Sequence, residues 1–502
     1  MKIELSLPRS RVVVDESIEL HVRLCNDGPT PVRVPDPFVN DAWQPAYVLT
    51  GPAFPTGRRF TARSSTSRDA RPVPDDVPLA MIELPPGGTH EGEIPLSQWI
   101  TIDAPGAYSL VAELELSAER AGGTALAVRS APLSLTLDAL DASSASVGVD
   151  AQQGPPAGLW VSFVHAGREP PAIYDALVLE DRPDLGELQR HDLVHRRDVA
   201  AGVEAVHVPW HHDDRMAALA AWRTWMQGGS LVVDDSPLGV PMALPLSPGS
   251  SVVTPVWQDA REQLDVLVRA PSPGGGQQLE LVRFGSHGPP APPTGAVVWR
   301  SEPRGSIATA RLALGPVSGG SLRRAVAVES RGDDLVLSCF AVEAGGPGAP
   351  IAEVTLPQVN PVPGLGLVLR VTPEGRTRVW VLADAKHQGW QVYLGRMEFD
   401  VDGRLTAAIE KPRPLVTLPS PLVEAALELV QPAGDGSEPL VWALRTDDRR
   451  VLWSRDGSAP RWYKTLRPSV LAVPMQLRPM SQATYLATQS PGRAPALVTL
   501  EE

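Results

Sequence analysis

Cysteine is nearly absent from this chain: Cys25 and Cys339 are the only two in 502 residues. Both sit in apolar, strand-like runs. A disulfide framework is therefore excluded, a cysteine-based zinc site is not expected, and buried free thiols are. Lysine is confined to Lys2, Lys386, Lys411 and Lys464, while alanine, arginine and proline are plentiful. Such a bias fits a GC-rich coding sequence, so arginine number alone carries little functional weight. No stretch approaches 18 uninterrupted apolar residues, and Met1-Lys2-Ile3-Glu4-Leu5 lacks a charged region leading into an apolar run. The expectation is a cytoplasmic protein that does not enter a membrane. Positive charge is in deficit, with 45 Lys and Arg against 58 Asp and Glu and a net charge of −13. General affinity for nucleic acid or anionic lipid is not expected at that balance. Phosphate-cradling Gly-x-x-x-x-Gly-Lys, His-Glu-x-x-His and Gly-x-Ser-x-Gly motifs are all missing.

What is present is a repeat. In the C-terminal half, two short apolar runs flank a polar turn, and the unit recurs about every fifty residues. Leu264–Ala270 turns through Pro271–Gly276 into Gln278–Phe284, and Arg323–Val328 turns through Arg331–Asp333 into Asp334–Ala341. Arg378–Ala383, Leu440–Arg445 and Thr484–Thr488 open three further units, which continue at Trp390–Met397, Arg450–Ser454 and Ala496–Leu500. The 53 prolines and 43 glycines fall between short β-branched runs, as the turns of an all-β protein do. The repeat predicts β-sheets stacked radially, a β-propeller of five blades across 246–502, or up to seven if 158–245 belongs to it. The last blade lacks an outer strand at Glu502; Ser230–Val233 or Met242–Leu246 would complete it and remove the exposed edge.

Residues 1–140 alternate with period two. In Ser17–Leu24, Ile18, Leu20, Val22 and Leu24 share one face, and Glu19, His21 and Arg23 the other. Lys2–Leu7, Arg11–Val14, Pro31–Val34, Ala80–Leu84, Tyr108–Leu116 and Pro132–Leu137 are further strand candidates, and Asp36–Pro78 reads as an extended loop. The strand running into Asn26-Asp27-Gly28-Pro29 and Pro31-Val32, with the later Pro105-Gly106-Ala107-Tyr108-Ser109-Leu110, resembles bacterial immunoglobulin-like β-sandwiches. That resemblance covers about 140 residues and implies a spacer or adhesion module.

Residues 141–157, rich in Ala, Ser, Gly and Pro, read as a linker. In 158–245, Asp213-Asp214 and Gly228-Gly229 bracket Arg215–Gln227 as helix start and stop. Ala218-Leu219, Trp222, Trp225, Gly228-Gly229 and Leu231-Val232-Val233 are similar to the helix–Gly-Gly–strand step of amidotransferase-like α/β domains. The nucleophilic cysteine of that family has no counterpart, since no cysteine lies between 26 and 338. The segment is thus either a short α/β module or two irregular blades, one with a helical insertion.

His191, His195, His207, His211 and His212, with Asp213 and Asp214, form the densest polar cluster. The four-residue spacings would place two imidazoles on one helix face, a metal-binding geometry. Pro209 and the extended look of Val206-His207-Val208 argue instead for surface or turn histidines. Gly285-Ser286-His287-Gly288 reads as a loop, Asp400-Val401-Asp402-Gly403 as a hairpin turn, and Arg331-Gly332-Asp333 as a chance tripeptide. Arg445, Arg449, Arg450, Arg455, Arg461, Lys464 and Arg467 interleave with Trp453, Trp462 and Tyr463, a pattern suited to single-stranded nucleic acid. Asp447, Asp448 and Asp456 among them favour solvated hairpin edges. The strand tryptophans Trp257, Trp299, Trp380, Trp390, Trp442 and Trp453 suit packing between blades, or an aromatic rim for a sugar or peptide.

The reading is a mainly β protein: an Ig-like sandwich, a linker and α/β or irregular segment, then the propeller. No catalytic, cofactor-binding or metal residue is assigned and no cofactor is expected. The expected function is non-enzymatic binding or scaffolding of a protein partner, with neither nucleic acid nor membrane. The alternatives are a propeller enzyme acting on a glycan or small polar ligand in its channel, and a metal module at His191–His212.

Overall fold

The computed structural model describes residues 1–14, 16, 18–38, 45–61, 80–96, 100, 102, 104–116, 126–140, 142–150, 158–165, 169–179, 190–203, 205–207, 210–211, 222–234, 240–258, 263–285, 295–317, 320–346, 348–385, 391–407, 413–429, 440–447, 450–455, 460–463, 477–479, 484–488 and 496–500. Every named element is a β-strand. Two compact units result, one centred on residues 1–141 and the other on the chain from residue 142.

The first unit is a two-layer sandwich. Lys2–Ser6, Glu19–Cys25 and Thr89–Pro95 form one sheet. Arg11–Val13, Leu133–Asp138, Gly106–Leu116, Ala46–Gly51 and Phe54–Phe60 form a second in that order, with Leu126–Arg129 also on Gly106–Leu116, and Val32–Pro35 pairs separately with Met81–Leu84. Alternation decides which face is buried: Leu20, Val22 and Leu24 point into a core shared with Tyr47, Leu49, Leu110, Ala112 and Leu135. The Tyr108 hydroxyl donates to the Ala104 carbonyl at 2.7 Å and accepts from the Ala53 amide at 3.2 Å, the arrangement of a tyrosine corner. Asp36–Pro78 is not one extended loop, because Ala46–Gly51 and Phe54–Phe60 pair as a hairpin inside it. The apolar run Ala46-Tyr47-Val48-Leu49 is short and bracketed by Pro45 and Pro52, which hides it from a periodicity count.

The second unit is a β-propeller. Its sheets follow one another along the chain and, among the described residues, number seven. The first holds Ala142–Asp150, Gly158–His165, Ala172–Leu179 and Arg190–Asp198. The second holds Val206–His207, Arg223–Gln227, Ser230–Asp234 and Met242–Pro245. The third runs from Ser251–Gln258 to Gly295–Arg300, the fourth from Ile307–Val317 to Ala352–Leu356. The fifth is built around Thr377–Ala385 and Gln391–Phe399, the sixth around Leu422–Leu429 and Leu440–Thr446. The seventh joins Leu477–Pro479, Thr484–Thr488 and Ala496–Leu500. All five hairpins read from the repeat are present.

Consecutive sheets pack face to face. Trp225 and Ile173 join the first to the second, and Trp222 and Leu264 the second to the third. Leu281 and Phe340 join the third to the fourth, Val328 and Val379 the fourth to the fifth, and Trp380 and Trp442 the fifth to the sixth. The inner strands approach closely: a Cβ on Gly315 would lie 2.3 Å from Val371 Cγ1. Two parallel bridges also link inner strands of neighbouring sheets. Trp210–His211 lies beside Val256–Trp257, and Gly364–Leu365 beside Ala425–Ala426.

Three further expectations are corrected. Ala142–Asp150 is a paired strand rather than linker, because backbone pairing with Gly158–His165 holds residues whose small side chains gave no pattern. Arg223–Gln227 is a strand rather than the end of a helix. Gly228 and Gly229 both have positive φ, 57° and 79°, and close a two-residue hairpin that pairs Gln227 with Ser230 instead of capping a helix. The rest of that expected helix, 215–221, lies outside the described residues. Ser230–Asp234 and Met242–Pro245 belong to the second sheet and do not complete the last one.

Phe340 is fully buried and meets Trp299 edge-on, with ring centroids 5.7 Å apart. Phe340→Ala is expected to destabilise the second unit by about 3–5 kcal/mol, read from urea unfolding followed by tryptophan fluorescence. Tyr108→Phe removes only the corner hydroxyl and is expected to cost about 1 kcal/mol in the first unit, read from the same curves by circular dichroism.

Candidate functional site

The densest buried polar group lies between the first and second sheets of the propeller. Asp175 stands on Ala172–Leu179 directly opposite Ser162. Arg196 comes from Arg190–Asp198, and Arg223 and Asp234 face each other across the second sheet. The Ser162 hydroxyl donates to Asp175 Oδ1 at 2.5 Å and accepts from Arg223 Nε at 2.5 Å. Arg223 Nη2 reaches Asp175 Oδ2 at 3.1 Å, and Arg196 Nη1 reaches the same oxygen at 2.9 Å. Arg196 Nε then bridges to Asp234 Oδ2 at 3.2 Å, and Arg197 Nη2 to Asp234 Oδ1 at 3.2 Å. Three guanidinium groups and two carboxylates thus tie four strands of two sheets.

Burial alone would raise the Asp175 carboxyl. Arg223, Arg196 and the Ser162 hydroxyl outweigh it and hold the group below its ordinary range. A carboxylate clasped by two guanidinium groups is a poor proton acceptor, so the chemistry of this cluster is cohesion. Arginine suits the task, because its planar fork meets two acceptors at once and lysine cannot.

The device recurs. Asp265 is fully buried and takes Arg283 Nε at 2.8 Å from its own sheet and Arg323 Nε at 3.0 Å from the next. Glu280 takes Arg300 at 2.9 Å, and Glu398 takes Arg376 and Arg378, each at 2.8 Å. Arg304 pairs with Glu353 and lies 3.6 Å from Glu329. On the inner strands, Arg311 donates from Nη2 to Glu428 Oε1 at 3.1 Å and from Nε to the Leu367 carbonyl at 3.2 Å. One side chain therefore spans the inner strands of the fourth, fifth and sixth sheets.

The histidine cluster is not brought together on a helix. His191 and His195 share an extended strand, where four residues span about 13 Å, too far for one ion. His195 Nε2 lies 2.9 Å from Asp198 Oδ1, and its ring meets Tyr174 edge-on at 5.3 Å. Burial pushes the His207 imidazole down to about 4. His211 belongs to a two-residue strand, and His212, Asp213 and Asp214 lie outside the described residues. Among the described residues no three His, Cys, Asp or Glu side chains gather as metal ligands.

The other candidates fall as follows. Ser286, His287 and Gly288 lie outside the described residues. Asp400–Gly403 is a hairpin turn, with the Gly403 amide on the Asp400 carbonyl at 3.0 Å and Gly403 at φ 85°. Arg331-Gly332-Asp333 leads one strand into the next, with Gly332 at φ 64°. Arg445 is bound to Glu424 at 2.6 Å and Trp453 is buried, while Arg449, Lys464 and Arg467 lie outside the described residues. Trp299, Trp380 and Trp442 are buried between sheets. Both cysteines are free and buried, and burial raises both thiols, Cys339 to about 12.

Sequence reasoning missed Asp175, Arg196, Arg223, Asp234, Asp265, Arg311 and Glu428. A signal existed for several of them: a single charge inside an otherwise apolar strand, as in Leu264-Asp265-Val266 or Trp222-Arg223-Thr224-Trp225.

The fold and these ties define a propeller whose sheets are joined by apolar faces and arginine–carboxylate clamps. Among the described residues no helix is long and apolar enough to cross a membrane. No protein-family model matches the chain, and no curated protein matches its sequence. Among solved structures it is similar to AofleA from Arthrobotrys oligospora at 10% identity, covering 73% of this chain and 92% of that one, with a TM-score of 0.37. It is similar to a puromycin hydrolase at 15% identity, covering 72% of this chain and 52% of that one, with a TM-score of 0.38. The tricorn protease is similar at 8% identity over 89% of this chain and 48% of its own, with a TM-score of 0.32.

Asp175→Asn leaves Arg223 without its paired carboxylate and Arg196 with Asp234 alone, and is expected to cost about 3 kcal/mol in urea unfolding at neutral pH. The lowered carboxyl supplies stability above its unfolded value, and that stability is lost as pH falls through its folded value. The variant should therefore show a shallower loss of stability under acid than the wild type.

Proposed function

We propose that this chain is a non-enzymatic binding or scaffold protein of the cytoplasm, whose propeller loops meet a protein partner. The observation that carries this reading is the use made of its buried charge. Asp175, Asp234, Asp265, Glu280 and Glu428 are each engaged by arginine, most of them tying strand to strand or sheet to sheet. The result is a stiff support from which the loops project, and stiffness lowers the ordering cost of binding. The sandwich serves as the positioning module, and the Tyr108 corner supports its kinship with immunoglobulin-like domains.

A second reading is favoured by the Arg311–Glu428 pair. It sets a cation and an anion on the inner strands, where a small polar ligand or glycan would meet them.

The tagged full chain, recovered from its native host, is expected to bring down a partner. That partner should slow amide exchange in the hairpin turns 272–276, 331–333, 372–376 and 400–404. Recovery of the chain alone, together with binding of a small polar molecule that Glu428→Gln abolishes, would replace the first reading with the second.

A further inference from the structure

Three arginines of the described residues are buried almost completely, and two of them, Arg196 and Arg223, are held by aspartates. Arg324 is the third, 3% exposed, and it is treated differently. It lies on Gly320–Arg331, opposite Ala341. Its Nη2 donates to the Val401 carbonyl at 2.7 Å and its Nη1 to the Arg323 carbonyl at 3.4 Å. Its Nε is buried and has no hydrogen-bond acceptor among the described residues.

No carboxylate among the described residues forms an ion pair with it. Two acids act on it through space. Glu343 and Asp400 favour its charge, and Asp400 Oδ1 already accepts the Arg404 amide at 2.7 Å. Burial lowers the guanidinium, as an uncompensated cation requires. Such a charge is costly to bury unless an anion accompanies it. Elsewhere this chain supplies that anion itself, as the neighbouring Arg323 shows with Asp265.

Arg324 lies directly beneath an exposed turn. Val401, whose carbonyl holds Arg324, is 53% exposed and sits at the tip of the 400–404 turn. The geometry points to Arg324 as a binding site for a small monovalent anion, of the chloride or formate class, seated under the 400–404 turn against Nε. This site is independent of the partner-binding reading. The anion would act as the missing counter-charge, bound by the folded chain and not by the unfolded one.

The test uses the full chain, with ionic strength held constant by sodium methanesulfonate, a bulkier anion. Replacing it by chloride or formate is expected to raise the Tm of the wild type saturably, by about 2 °C. Arg324→Met should abolish the response, while Arg404→Met, on the exposed turn, should keep it. Chloride-35 line broadening by the wild type, reversed by formate, reads the same site directly and does not need the variant to fold. A wild type without saturable response to either anion overturns the proposal, as does an Arg324→Met variant that responds equally. A response to phosphate alone overturns the monovalent class.

Discussion

The second unit depends on one constraint: each internal sheet must bury both faces against its neighbours. A sheet buried on both sides cannot alternate apolar and polar residues. This is why Leu264–Ala270, Ala325–Val328 and Val379–Ala383 read as almost unbroken apolar runs, while Glu19–Cys25 in the sandwich alternates. The cores between consecutive sheets, each a mixture of aliphatic residues with a tryptophan or phenylalanine at most interfaces, follow from that requirement.

Polar groups admitted to such an interior must be satisfied there, and the arginine–carboxylate clamps do this. Asp265 receives guanidinium groups from two sheets, and Asp175 and Asp234 share Arg196. Buried pairs of this kind often contribute no more net stability than apolar residues of equal volume would. What they add is register, because a sheet slipped by one residue would turn both partners away from each other. Arginine abundance, which fits a GC-rich coding sequence, is thereby put to a structural use.

The hairpins of the repeat were legible because turn chemistry and apolar runs agree there, as in Leu264–Ala270 with Gly274–Gly276. The alternating faces of Ser17–Leu24 were legible for the same local reason. Ala142–Asp150 was not, since small residues carry no pattern and its order comes from pairing. Gly228-Gly229 misled because one dipeptide punctuates both a helix end and a two-residue hairpin, and only the positive φ of both residues separates them. The clamps were the least legible. A lone aspartate in an apolar strand signals a buried partner, but the inter-sheet partner of Asp265 is 58 residues away and that of Glu428 is 117.

The two parallel bridges between inner strands carry a mechanical consequence. Trp210–His211 fastens the second sheet to the third, and Gly364–Leu365 the fifth to the sixth. Between the third and fourth sheets the Gly345 amide also donates to the Val298 carbonyl at 3.1 Å, and the other described seams adhere mainly through side chains, which part gradually under load. Backbone bridges aligned with the strands resist sliding until several hydrogen bonds rupture together. Under load, the described seams without these rivets would part first, and the bridged sheets would come away as doublets.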